Sequence, residues 1–276
     1  MRINTNTASQ AAQRTLESNR SVEAKASEHL AAGSRIVQAG DDAAGLSISS
    51  TMNAHIRSTQ QALRNASDGV SMIQVAEGSL QAIGDILIRF RELGIQASSD
   101  TVNDSQRRMM NSEVKQLSES INQIANSTEY LGKKLLTGGG SWPVFDIQVG
   151  IHADELNKMS VDRRSFNVSL DHLGLHGIDY SSKENAQGFL IDIDRAISTV
   201  SGYRATFGSI QSRLNSNIVE LGTNNTNLSS ANSRIKDADI AIESSERTKG
   251  QILSQSALSV LTQANQAPNL ALKLLG

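Results

Sequence analysis

The sequence predicts a mainly α-helical protein: a long, coiled-coil-like helical bundle (a rod) with a small β-hairpin region. Over much of the 276-residue chain, apolar residues recur at alternating steps of three and four, the spacing of a helix seam. Only two prolines, Pro143 and Pro268, are present, so long helices can continue without interruption. Eight of the nine aromatic residues lie between positions 130 and 207. Both ends of the chain therefore lack the large aromatic side chains that contribute most to an ordinary hydrophobic core.

Turn residues divide the seam into helices. Because Asp41-Asp42 precedes Ala43-Ala44, we expect an aspartate to cap a helix that runs from 43 to about 98. At ~1.5 Å per residue this helix would be roughly 84 Å long, whereas a compact globule of this chain length is roughly 50 Å across, which favours a rod. Further helices are predicted from about 105 to the glycines at 138–140, over 184–235, and from 240 towards the C-terminus, where Pro268 either kinks or restarts the helix.

A short region between the second and third helices has a different periodicity. Apolar and polar residues alternate over 144–149, 159–161 and 166–170, which predicts two or three short strands with a hairpin across 150–158. The expected organisation is therefore an N-terminal core arm and connector (1–42), N-terminal rod helices (43–140), a small β-rich insert (141–183), a C-terminal rod helix (184–236) and a C-terminal core arm (237–276).

The two terminal arms have helical spacing but little apolar bulk. Burying a Leu or Val contributes about 1.5–3 kcal/mol, while ordering each residue costs about 1–2 kcal/mol of backbone entropy. We therefore expect the arms to be disordered in the monomer and to order when they pair in an assembly. The residues expected to carry this polymerisation are Leu16, Leu30, Val37, Leu258, Leu261, Leu272 and Leu275.

Composition excludes several classes of protein. Without cysteine the chain has no disulfide, iron–sulfur site or thiol nucleophile. A net charge of −2 argues against a nucleic-acid surface, and the chain has no run of about 18 apolar residues that would insert into a membrane. The first residues do not resemble a secretory signal, so export would use another route.

The sequence offers no convincing catalytic, cofactor or metal site. His172 and His176 are four residues apart, but Gly174 interrupts any helix that would place both on one face. Ser112 and Lys115 fit an S-x-x-K pattern only within a heptad run. We expect no enzyme activity and no cofactor; the remaining catalytic alternative is an enzyme built into the insert.

Three motifs resemble those of bacterial flagellins, and the likeness covers both arms. They are R-I-V-Q-A-G-D-D-A-A-G at 35–45, I-K-D-A-D at 235–239 and S-V-L-T-Q-A-N-Q-A-P at 259–268. The resemblance implies a secreted, extracellular structural subunit that polymerises into the flagellar filament used for swimming. It also implies partners: other copies of itself, sister flagellins, an export chaperone and a cap protein. A hook–filament junction protein, which shares this terminal design, is the alternative.

A fourth stretch resembles the part of flagellins that the vertebrate Toll-like receptor for flagellin detects. It reads L-I-R-F-R-E-L at 87–93. By this resemblance Arg89, Leu93 and, on the next helix, Glu113 would contact the receptor. Arg89 and Leu93 are four residues apart on one helix, which is compatible with a shared face. The alternative is an ordinary solvated charged face.

Overall fold

The computed structural model describes residues 5–138 and 144–275, with side chains described as far as residue 266. It is mainly α-helical with a small hairpin region, which confirms the predicted fold class. The described residues form the α-helices α1 (Thr7–Ala32), α2 (Ala43–Ala97), α3 (Asp104–Ser127), α4 (Lys183–Lys236) and α5 (Ile240–Leu275), and two short 3₁₀ helices at Glu155–Asn157 and Arg163–Ser165. They also form the strands β1 (Glu129–Tyr130), β2 (Lys133–Lys134), β3 (Val144–Gln148) and β4 (Lys158–Asp162).

Helix α3 is shorter than predicted because the chain turns at Thr128. The Thr128 hydroxyl donates to the Ile124 carbonyl at 2.6 Å, and the backbone of Thr128 is extended. Leu131 and Gly132 both have positive φ, at 50° and 74°, which forms a tight two-residue turn between β1 and β2. The heptad spacing predicts that α3 continues through Leu131, but the Leu131 side chain lies exposed at the tip of a hairpin.

The β-rich insert forms a single hairpin within its described residues. Strands β3 and β4 are antiparallel, with Val144 opposite Asp162 and Gln148 opposite Lys158, as the alternation predicted. The third candidate strand, 166–170, takes part only in an isolated bridge between Asn167 and Thr137. Two of the three glycines at which the preceding helix was predicted to end, Gly139 and Gly140, lie outside the described residues.

The chain divides into two compact units. The first contains residues 1–56 and 226–276, and the second contains residues 57–225. The second unit holds one continuous apolar core, in which helical residues pack with residues of the insert. Phe166 and Phe207 stack there at 4.4 Å between ring centroids. Its largest fully buried side chains include Ile73, Leu80, Ile83, Leu87, Phe90, Leu93, Ile121, Leu136, Leu175, Tyr180 and Ile193.

Buried polar groups fix the turn and the loop at one end of this core. Arg107 donates to the carbonyls of Ala97 and Ser99, at 2.9 and 3.0 Å, and so satisfies carbonyl groups at the end of α2. The Tyr180 hydroxyl donates to the Phe90 carbonyl at 3.0 Å, and burial raises the pKa of this phenol. These bonds connect the loop before α4 to the α2–α3 pair.

Candidate functional site: the terminal helix pair

Helices α1 and α5 pack against each other within the first unit. The contact uses small residues: Ala12 and Ala26 of α1 are buried, and so are Ser254 and Ala257 of α5. At Gly250 a Cβ atom would lie 3.3 Å from the Cα atom of Glu23, so the two backbones approach closely there. The pair therefore depends on close fit and buries little large apolar side-chain surface.

Hydrogen bonds that involve asparagine side chains connect the N-terminal end of α1 to the C-terminal part of α5. The Asn6 side-chain amide donates to the Ala264 carbonyl, and the Ser9 hydroxyl donates to the Asn265 side-chain oxygen, both at 2.8 Å. Asn6 also caps α1 by accepting from the Ser9 backbone N–H. Because Ala264 and Asn265 belong to the Q-A-N-Q motif, this motif has a structural role in joining the two ends of the chain.

The two connectors that lead into and out of the helix pair lie side by side. Ser34 and Asp237 form an antiparallel bridge, next to a bond from the Arg35 N–H to the Lys236 carbonyl at 2.7 Å. The Arg35 guanidinium also donates to the Ile235 carbonyl at 2.9 Å. The R-I-V-Q-A-G and I-K-D-A-D motifs thus form one joint.

Asp41 and Asp42 have different roles in this joint. Asp42 accepts from the Gly45 N–H at 2.9 Å and caps α2. Asp41 instead holds the loop before α2, because its carboxylate accepts from the N–H groups of Val37 and Gln38. The hydrogen bond from Lys25, together with the Gln38 N–H, lowers the pKa of Asp41 to about 2. The Asp41 carboxylate is therefore ionised, and holds the loop, except in strong acid.

Removing the cap should weaken the start of α2. We expect Asp42→Ala to cost about 1 kcal/mol, because the Gly45 N–H loses its acceptor. Native-state hydrogen exchange of the amides at 45–48 measures this loss. Asp42→Asn is the matched control, since it keeps an acceptor oxygen and should restore most of the protection. Equal exchange in wild type and Asp42→Ala would contradict the capping role.

The side chains predicted to carry polymerisation have different environments in the described chain. Leu16 is buried, Leu30 and Leu261 are half-buried, and Val37 and Leu258 are exposed. Leu272 and Leu275 lie outside the described side chains.

The sequence prediction missed two buried residues, one in the connector and one in α1. Ile36, not Val37, is the buried residue of the connector, and His29 is more buried than its neighbour Leu30. Ala26, His29 and Gly33 have the three-then-four spacing of a helix seam. A spacing rule that also counted polar residues would therefore have predicted that His29 is buried.

Much of α5 is left uncovered by α1. Its exposed aliphatic side chains are Ile240, Ile242, Ile252, Leu253, Leu258 and Val260. No Asp, Glu, Lys or Arg occurs from Gly250 to Leu272, so no charge solvates this part of the helix. Within the described residues, no helix has a stretch apolar and long enough to cross a membrane. A stretch of helix without charged residues that exposes aliphatic side chains, as here at Ile252, Leu253, Leu258 and Val260, is typical of a surface that another protein chain covers.

The residues predicted to meet an immune receptor divide into two environments. Arg89, 48% exposed, donates to Glu113 at 2.9 Å and to Glu92 at 3.0 Å. These bonds, chiefly the one to Glu113, raise the pKa of Arg89. Leu93 is only 1% exposed, because it points into the core of the second unit. Arg89 and Glu113 thus lie at the surface and Leu93 lies in the core, and contact of the three residues with the receptor stays a prediction.

The described residues contain no group of three or more His, Asp or Glu side chains arranged to hold a metal ion. His172 and His176 are both exposed, and His176 lies 3.9 Å from Asp171 in an exposed pair. An open groove of about 570 Å³ lies along α5, lined by residues between Ala241 and Leu253.

Comparison with known proteins assigns the two halves of the sequence to one family. Residues 3–140 match the bacterial flagellin N-terminal helical region, and residues 190–275 match the bacterial flagellin C-terminal helical region. A flagellin from Halalkalibacterium halodurans is 40% identical over 275 residues, with 100% of both chains covered. A flagellin from Bacillus subtilis is 38% identical over 307 residues, also with 100% of both chains covered. The crystal structure of Bacillus cereus flagellin superposes with a TM-score of 0.51 at 26% identity, covering 57% of this chain and 88% of that one.

Proposed function

Because the chain belongs to the bacterial flagellin family, we propose that it is a structural subunit that self-assembles into the helical flagellar filament used for swimming. The observation that supports this most directly is the stretch of α5 from residue 250 to 272, which has no charged residue and exposes Ile252, Leu253, Leu258 and Val260. Burying apolar area from water is the main driving force of association, so further copies of the chain are the expected cover for this surface.

The mechanism that we propose is coupled folding and assembly. The segments 1–42 and 237–276 act as core arms, and 43–140 with 184–236 act as rod helices that carry the insert 141–183. The arms bury mostly small side chains against each other, so their pairing alone gains little free energy. Docking at a growing end adds contacts along α5 and orders the arms. The contact must be heterologous, since a head-to-tail contact that does not close produces an open helical polymer.

Seeded polymerisation tests this function. Purified monomer is mixed with short filament fragments and salt, and the products are imaged by negative-stain electron microscopy. We expect filaments whose growth requires the seeds and whose length increases with monomer concentration. Monomer that remains dispersed at every concentration, with seeds that remain short, would contradict the proposal.

The hook–filament junction protein remains the alternative within the same design. Both full-length relatives reported above are flagellins, which favours the filament subunit. The two functions differ in copy number, because a junction needs few subunits. Deleting the gene distinguishes them: loss of a filament subunit shortens or thins the filament, whereas loss of a junction protein detaches whole filaments from the cell.

Family membership also supports proposals about location and partners. The protein would be secreted through the flagellar export channel, bound beforehand by an export chaperone, and added to an extracellular filament beneath a cap protein. Sister flagellins would share the filament. Enzymatic activity is not part of this proposal, because flagellin is a structural protein.

For the immune receptor we propose contact through Arg89 and Glu113. Arg89 is half exposed and supported by two carboxylates, and arginine is a frequent anchor at interfaces. We expect Arg89→Ala to weaken binding of the monomer to the receptor ectodomain at least about tenfold in surface plasmon resonance. Arg195→Ala is the control, because Arg195 makes an equivalent i,i+3 pair with Asp192 on another helix. Absence of wild-type binding would end the proposal.

A further inference from the structure

Three isoleucine side chains of the second unit are exposed on neighbouring faces of α2 and α4. Ile88 and Ile95 are seven residues apart and share one face of α2, and Ile191 belongs to α4; each is at least half exposed. A hydrogen bond from Arg91 to Asp194, at 2.6 Å, joins the two faces. Arg91 lies between the two isoleucines of α2, and Asp194 is one turn beyond Ile191. We call the three isoleucines the isoleucine patch.

The isoleucine patch is flanked by two carboxylates. Asp85 precedes Ile88 by one turn of α2, and Glu184 precedes Ile191 by two turns of α4. Both carboxylates are exposed, and neither forms an ion pair with another residue that the structure describes. An apolar surface with uncompensated negative charge beside it favours a partner that presents an apolar side chain next to a cation.

The β1–β2 hairpin has these two properties. Leu131 at its tip is 85% exposed. Lys134 is also exposed, and in the described chain it forms no ion pair, even with Glu129 on the opposite strand. Leu131 has a φ of 50°, a conformation for which such turns usually use Gly, Asn or Asp. Because the leucine is not buried within its own chain, nothing there offsets this backbone strain, which is typical of a residue held for a contact elsewhere.

The hairpin and the isoleucine patch of one chain cannot meet. The hairpin borders a groove along α2 between Asn65 and Met72. Ile88 begins the patch sixteen positions after Met72, which at ~1.5 Å per residue is about 24 Å along the helix. A contact between the two surfaces therefore requires a second copy of the chain. Such a contact is head-to-tail, as an open helical polymer requires.

A second exposed leucine of the same unit is the alternative partner for the patch. Leu156, in the loop between β3 and β4, is 94% exposed. Asp154 and Glu155 precede it, so the charge beside this leucine has the same sign as the charge beside the patch. Like charges that meet across an interface weaken it, which favours the β1–β2 hairpin as the partner. Leu156 therefore provides a matched control.

We propose that the β1–β2 hairpin of one copy docks on the isoleucine patch of another copy. Leu131 packs against the three isoleucines, and Lys134 faces the flanking carboxylates. The contact rests on the proposed function, because filament assembly is what brings the copies together. It adds to the terminal helix pair a second contact, between the second units of neighbouring subunits.

Leu131→Asn removes the apolar tip and keeps the hairpin, because asparagine before glycine suits the positive φ of this turn. The full-length variant is polymerised from wild-type seeds, and the critical concentration for growth is measured by sedimentation. We expect Leu131→Asn to raise the critical concentration at least about fivefold. Leu156→Asn, which changes the more exposed leucine, should leave it at the wild-type value. An unchanged critical concentration in Leu131→Asn overturns the contact.

Disulfide formation locates the contact, because the natural chain has no cysteine. Leu131→Cys protein is mixed with protein that carries cysteine in place of Ile88, Ile95 or Ile191, copolymerised and oxidised. Non-reducing electrophoresis should show a disulfide dimer in at least one of these mixtures. Each cysteine variant alone, and Leu156→Cys in the same mixtures, should give none. Absence of a dimer in all three Leu131→Cys mixtures overturns the contact.

The outcomes separate this contact from the filament function. Normal growth of Leu131→Asn without a cross-link overturns the contact and leaves the proposed function standing. If the wild-type chain forms no filament, the proposed function fails. The same cysteine mixtures are then oxidised in concentrated monomer, where a dimer through Leu131→Cys supports the contact and its absence overturns it.

Discussion

Removing either terminal arm should abolish filament growth and leave a soluble, helical monomer. The expected change is large, because deletion of 1–40 or of 240–276 removes one member of the α1–α5 pair entirely. The helix that remains is then exposed on the face that its partner had covered. Deletion of 240–276 also removes the exposed aliphatic side chains of α5. The second unit should remain folded, since the buried residues of its apolar core that the structure describes lie between 66 and 214, outside both deletions.

The measurement combines seeded growth with thermal unfolding. Each truncated protein is added to wild-type seeds and imaged beside the full-length protein. Circular dichroism should show a cooperative unfolding transition of the second unit at about the same temperature in all three proteins. Filaments of normal length from either truncation would show that the arms are not needed for assembly.

Phe90→Ala should destabilise the second unit by about 3–5 kcal/mol. Phe90 is 0% exposed and belongs to the continuous apolar core of the second unit. Removing the ring leaves a cavity that close-packed neighbours fill only partly. For a unit of this size the loss corresponds to a decrease in melting temperature of about 10 °C.

Ile88 offers a matched control two residues away on the same helix. It is 51% exposed, so Ile88→Ala should change the free energy of unfolding by less than about 1 kcal/mol. Urea unfolding, followed by circular dichroism, gives both values on the same scale. A Phe90→Ala variant as stable as Ile88→Ala would mean that this core is not packed as described.

The long helices were predictable because their boundaries are encoded locally. The expected helix 43–98 is observed as Ala43–Ala97, since an aspartate cap begins it and a polar turn ends it. The hairpin of β3 and β4 was predictable for the same reason, from period-two alternation around Gly150. The end of α3 was not, because Leu131 and Leu135 continue the heptad spacing into a hairpin whose turn requires positive φ at Leu131.

The candidate site was predictable only in outline. Its apolar spacing identified two arms that would pair, but the spacing rule counted apolar residues and so selected Leu30 and not His29. Nothing in the local sequence connects His29 with Glu243, its hydrogen-bond partner 214 positions away. The burial of Leu93 could not be predicted, because a spacing of four residues places Arg89 and Leu93 near each other on a helix without showing which of them faces the core.

Hydrogen exchange on monomer and filament shows whether the arms complete their structure only among copies of the chain. We expect amides at 244–266 of α5 to exchange within seconds to minutes in dilute monomer and to become strongly protected in filaments. Amides of α2 at 73–90, in the core of the second unit, should be protected in both. Strong protection of 244–266 in the isolated monomer would show that α5 is already folded before assembly and does not need other copies of the chain.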